Sequence, residues 1–172
     1  MKKLLVALIF VLFVGQTVQS QVIKEWGVGP ELILNAPIYE PGIGARAHFH
    51  FTRQLFIAPQ VYYYPGLVNI HELYTGLTGN LKFIPSDNFT AYAAVGGVYN
   101  LFFNHETSPS PDAARHNFAF EFGGGITKNK GCLRPFIEYR VNSKWWESNL
   151  ALGLLFYFQD CNGRGHQVCP AY

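Results

Sequence analysis

Nine ionisable side chains stand inside stretches of this chain that are otherwise apolar or small: the carboxylates Glu31, Glu72, Glu121, Glu138 and Glu147, and the cations Arg46, Lys82, Arg134 and Arg140. Charges taken out of water must find opposite charges, because an unpaired buried ion is costly. Glu138 and Arg140 are two residues apart, and Glu147 follows closely, so these three are expected at the centre of a paired network. His48 and His50, with one residue between them, would suit a metal if a third ligand approached. The same pair also serves as a hydrogen-bonding couple. Cys132, Cys161 and Cys169 are the three thiols, enough for one disulfide with one left over.

The elements that must hold these groups are strands. From Trp26 onward the apolar period is two, and Gly, Pro, Asn, Asp and Ser punctuate it at hairpin-like intervals. No helix is predicted. Eight strands are expected at 24–35, 43–52, 54–64, 70–84, 89–103, 115–127, 132–142 and 146–158. An even number of antiparallel strands is what a closed barrel needs, and the nine charges fall on one face of them. Pro59 lies mid-strand, where it removes a ladder donor, so a bulge or a shifted boundary is expected there.

Met1–Ser20 reads as an address: Lys2 and Lys3, an apolar run from Leu4 to Gly15, then a polar stretch before Gln21. The run is too short for a helix to cross roughly 30 Å of hydrocarbon. The domain plan is a signal peptide at 1–20, a barrel at 21–158 and a C-terminal tail at 159–172. Of 13 Lys and Arg, two belong to the leader, and the remaining 11 match the 11 Asp and Glu. A neutral chain is no nucleic-acid binder.

Each strand has a greasy and a polar face. In the sixth, Phe118, Phe120, Phe122 and Ile126 alternate with Asn117, Ala119, Glu121 and Gly123; in the second, Ile43, Ala45, Ala47, Phe49 and Phe51 alternate with Gly44, Arg46, His48 and His50. A lipocalin turns its greasy face inward around a ligand, and an outer-membrane barrel turns it outward. The polar faces here are small residues with isolated charges, and the greasy faces carry large aromatics, which favours the membrane reading. Aromatics gather at both strand ends: Trp26, Phe51, Phe83, Phe89 and Phe158 at one, Tyr63, Tyr64, Tyr74, Phe103, Trp145 and Trp146 at the other. Two such sets resemble interfacial girdles.

FTAYAAVGGVYN after the PSDN turn, FAFEFGGGI, and LRPFIEYRV after a short turn together resemble the small outer-membrane β-barrel family that includes the OmpA and OmpX type barrels. Gly153-Leu154-Leu155-Phe156-Tyr157-Phe158 is similar to the last-strand signal read by the barrel-assembly machinery, although Ala151 fills its customary polar position and 14 residues follow. The resemblance implies an all-β, closed, antiparallel eight-stranded transmembrane barrel of meander topology in the outer membrane. Its implied partners are membrane lipid and the assembly machinery, and a monomer is expected. Family members that deacylate lipid A use a Ser/His pair with an acid, but the compact His-x-Ser arrangement is absent; His116 and Ser148 fall on the sixth and eighth strands.

The expectation is a non-enzymatic barrel with a plugged polar lumen and a structural or surface-interaction role, any interaction lying in the loop Asn104–Ala114. No cofactor, metal or catalytic set is expected. The alternatives are a soluble exported lipocalin-like barrel and a lipid A-modifying enzyme. Antiparallel pairing of the last two strands brings Cys132 and Cys161 to one rim, while the tail leaves a Cys161–Cys169 loop open.

Overall fold

The computed structural model describes residues 25–66, 71–85, 88–103 and 115–161, at 84, 85, 160 and 161 the backbone alone. The leader read at 1–20, the 104–114 loop and Cys169 lie outside the described residues. Eight strands form: β1 (Glu25–Asn35), β2 (Glu40–His50), β3 (Leu55–Tyr64), β4 (Glu72–Pro85), β5 (Phe89–Phe102), β6 (His116–Lys128), β7 (Leu133–Asn142) and β8 (Ser148–Tyr157). Each pairs antiparallel with the next, and β8 pairs back onto β1, closing a meander barrel. A short helix, α1 (Phe158–Cys161), ends the described chain in place of the last residue expected of β8. Among the described residues no helix is long and apolar enough to cross a membrane.

The alternating pattern decides which way each side chain points. Leu32, Ile43, Val95, Phe118, Phe120 and Leu152 lie on the outer wall and are exposed, whereas Glu31, Arg46, Glu121, Glu138 and Arg140 lie inside and are buried. This is the reverse of a lipocalin's distribution. The strand ends Asn35, Glu40, Tyr64, Glu72, Phe102, His116, Asn142 and Ser148 gather at one end, here the loop end; His50, Leu55, Pro85, Phe89, Lys128 and Leu133 gather with Glu25 and Phe158 at the other, the terminal end.

Three local features depart from the sequence reading. β2 begins at Glu40, not 43, because Pro41 and Gly42 pair with Leu34 and Ile33 and the turn is only Ala36–Tyr39, with Tyr39 at φ 54°. Pro41 precedes the first β2–β3 pair at Ile43, an edge position where a missing donor is tolerated. Pro59 produces no bulge and no shifted boundary. The β2–β3 ladder is interrupted between Arg46↔Gln60 and Phe49↔Ile57, yet resumes in the same register, and Pro59 pairs with Leu77 on its other side. The bulge lies instead on β4, between Lys82 and Ile84. Finally, Tyr64 and Tyr74 are buried in the lumen and belong to no girdle, while Phe103 and Trp146 stay exposed near the loop end.

Two glycines make room for the lumen's rings. A Cβ on Gly153 would meet Phe136 at 2.3 Å, and one on Gly125 would meet the Tyr92 hydroxyl at 2.6 Å. Gly153 is the register partner of Phe136. Without side chains at these points, Phe136 and Tyr92 lie against the wall and leave the axis to the charged groups.

Candidate functional site

At mid-height a ring of polar contacts crosses the lumen and closes on itself. Glu138 on β7 accepts from Arg46 Nη1 of β2 at 2.8 Å; Arg46 Nη2 donates to Gln60 Oε1 of β3 at 2.8 Å. Gln60 Nε2 donates to Glu121 Oε2 of β6 at 3.2 Å, and Arg140 Nη1 donates to the same oxygen at 3.0 Å. Arg140 Nε lies 2.9 Å from Glu138 Oε1, completing the circuit. Tyr92 on β5 and Tyr62 on β3 donate their hydroxyls to Glu138 and Glu121 at 2.7 and 3.1 Å. Glu31 on β1 lies 3.0 Å from Arg46 Nε. The Arg46 Nε–Glu31 and Arg140 Nε–Glu138 contacts are ion pairs by distance but are not aligned as hydrogen bonds. Arg46 also stacks on Phe136, its guanidinium carbon 4.7 Å from the ring centre.

The nine expected charges therefore do not make one network. Glu31, Arg46, Glu121, Glu138 and Arg140 form the ring. Arg134 pairs with Glu25 near the terminal end and sits 3.9 Å above the Tyr157 ring, and Lys82 lies 5.7 Å from the Phe56 ring. Glu72 and Glu147 are at the loop end. Glu147, expected at the centre, is in the β7–β8 link and accepts from Asn35 Nδ2 at 3.2 Å. The expectation counted it as part of β8, which starts one residue later. Burial raises the Glu147 carboxyl above its usual range; Asn35's hydrogen bond opposes the rise and the Glu40 charge adds to it.

Sequence reasoning missed Glu25, Glu40, Gln60, Tyr62 and Tyr92. The inward face of β3 reads Phe56, Ala58, Gln60, Tyr62, Tyr64. It looks apolar, and period two alone could have flagged Gln60 as its one amide. Glu40 was hidden because Pro41 and Gly42 read as turn.

His48 Nδ1 and His50 Nε2 both meet the Tyr157 hydroxyl, at 3.1 and 3.0 Å. One hydroxyl proton serves one imidazole, and the oxygen accepts from the other. His48 Nε2 is buried without a hydrogen-bond partner. A bare lone pair is cheaper to bury than a bare N–H, which puts the His48 proton on Nδ1 and has Tyr157 donate to His50. Among the described residues no three of His, Cys, Asp and Glu lie together as a metal set. His116 is exposed and bonds to Tyr99, and β7 lies between it and Ser148. Cys132 is disulfide-bonded, and its backbone carbonyl accepts from Tyr157 N at 2.8 Å; the side chains of Cys161 and Cys169 lie outside the described residues.

No protein-family model and no curated protein matches the chain. Solved structures do. The N-terminal β-barrel domain of OprF from Pseudomonas aeruginosa is 16% identical over 81% of this chain and 100% of that one, with a TM-score of 0.59. A de novo designed transmembrane β-barrel is 14% identical over 81% and 99%, TM-score 0.58. The Yersinia pestis outer-membrane protein Ail, in a phospholipid bilayer nanodisc, is 10% identical over 79% and 100%, TM-score 0.52. At these identities the likeness is one of fold, and the chain has the closed eight-stranded antiparallel fold of the small outer-membrane barrels.

Proposed function

We propose that this chain is an integral outer-membrane barrel, non-enzymatic, whose lumen is plugged by the ring at mid-height and whose loop end faces outward in a structural or surface-interaction role. One observation carries the reading. The Glu138–Arg46–Gln60–Glu121–Arg140 circuit crosses the inside of a barrel whose outside is apolar. Eight-stranded barrels have interiors just wide enough to be filled by side chains. A charge network in that space fixes the strands while leaving no continuous water path.

The leader at 1–20 exports the chain, membrane lipid covers the wall, and the assembly machinery reads the last strand through Gly153 to Phe158. The protein acts as a monomer. In an oxidising compartment Cys132 pairs with Cys161 or Cys169 and ties the tail to the terminal rim. Trp26 stacks on Phe158 at 4.3 Å there, joining the start of β1 to the residue that follows β8. Folding into detergent or lipid tests the reading. The folded barrel is expected to migrate differently from the heated chain on a denaturing gel, and a soluble monomer without detergent would overturn the assignment.

A further inference from the structure

Among the described residues of the loop end, three buried side-chain oxygens, on Glu40, Asn35 and Asn100, are bare against one bare donor, Asn142 Nδ2. Glu40 is 3% exposed and its Oε1 has no hydrogen-bond partner. Across the β1–β2 ladder its register partner is Asn35, whose Nδ2 is spent on Glu147 and whose buried Oδ1 is bare. The arrangement repeats on β4 and β5: Asn100 Nδ2 donates to Glu72 Oε2 at 3.0 Å, and the buried Asn100 Oδ1 is bare. Glu147 and Glu72 thus each take one N–H of an amide whose oxygen is left unsatisfied, and Glu72 also accepts from the Tyr74 hydroxyl. The described cations of this end do not answer them. Lys144 is exposed, donates to Asn117 and lies 5.1 Å from the Trp145 ring, and Arg115 is exposed.

The chemistry missing is positive and rich in N–H donors. Among the described residues no set of three carboxylates is close enough to share a metal ion. The acceptors fall instead into two groups, Glu40, Asn35 and Glu147 on β1, β2 and the β7–β8 link, and Glu72 with Asn100 on β4 and β5. A primary ammonium carries three donors and no acceptor. Tyr62 and Tyr74 stack face to face and Tyr64 packs edge-on against both, so the strands between the groups bring aromatic rings to a cation.

We propose that the loop-end mouth of the lumen is a binding site for a short aliphatic polyamine, one ammonium on Glu40, Asn35 and Glu147 and a second on Glu72 and Asn100. The ring below stops the ligand from passing through. The site needs the closed barrel, so it rests on the fold and not on the membrane role.

The test is calorimetric titration of the chain folded in zwitterionic detergent, at fixed ionic strength, with putrescine, n-butylammonium and Mg²⁺. Two linked ammonium groups are expected to bind about tenfold tighter than one, because the second engages from a high effective concentration. Glu40→Gln and Glu72→Gln should each bring putrescine down to the butylammonium value, and Glu25→Gln at the terminal end should leave it unchanged. Glu147→Gln, in the link outside the strands, serves should a strand variant fail to fold. The proposal is overturned if putrescine binds no tighter than butylammonium, if neither binds, if Mg²⁺ displaces the diamine at equal concentration, or if Glu25→Gln weakens it as much as the mouth variants. Loss of the heat-dependent gel shift would instead count against the barrel reading, and the two failures are read separately.

Discussion

Two acidic regions share one lumen and differ in what faces them. At mid-height Glu31, Glu121 and Glu138 meet the guanidiniums of Arg46 and Arg140, with Gln60, Tyr62 and Tyr92 filling the gaps. At the loop end Glu72 meets an amide and the Tyr74 hydroxyl, Glu147 meets an amide, and Glu40 meets no described donor. The difference lies in which partners the neighbouring strands supply. A buried carboxylate is tolerable only beside an opposite charge; the ring carboxylates have one within the chain, whereas Glu40, just as buried, has none among the described residues. On the proposed reading the ring closes the lumen and the mouth receives a cation.

The comparison is broken most severely at Arg46. Arg46→Met leaves Glu31 without its cation and Glu138 with Arg140 alone, and removal of one partner from a buried pair costs about 3–5 kcal/mol. Denaturant unfolding in detergent should show that loss, and a change under about 1 kcal/mol would mean that the ring carries no stability. Next in size is the wall. Phe120→Arg or Leu152→Arg puts a charge in the lipid-facing belt, which costs about 2–4 kcal/mol at the bilayer midplane, while the inward Ala119→Ser and Ala151→Ser should fold normally. Insertion yields into vesicles separate the two sets, and equal yields would reverse the assignment of faces. Smaller again is Gly153→Ala, whose new methyl pushes Phe136 away from the wall; overpacking of this kind costs about 1–3 kcal/mol, read from the same unfolding curves. The smallest effect is at the mouth. Glu40→Gln removes one of three like charges with no partner lost, so stability should stay within about 1 kcal/mol of wild type. A loss as large as that of Arg46→Met would erase the distinction between the two regions.

The strands were legible because period two persists through nearly every segment and only one face of each is greasy. Punctuation was less so. Pro41 and Gly42 read as turn residues but pair within β2, and Pro59 sits in a ladder that skips it and keeps register. The β4 bulge at Phe83 has no mark in sequence, since an extra apolar residue near a strand end looks like continuation. The site was half legible. Charges inside apolar strands pointed to Arg46, Glu121, Glu138 and Arg140, but alternation gives a residue's face and not its height. Glu72, Glu147, Lys82 and Arg134 were therefore pooled with a ring they do not join. Tyr92 reaches Glu138 only because Gly125 clears its path, a condition set jointly by β5 and β6 that neither strand states alone.

The central claim is that the ring closes the lumen, and planar-bilayer recording of purified, folded monomer tests it most directly. Wild type is expected to give no stable conductance steps, and Glu138→Ala, which cuts the circuit where Arg46, Arg140 and Tyr92 converge, is expected to introduce brief openings. Steady channels of uniform size from wild-type monomer would contradict the plugged lumen.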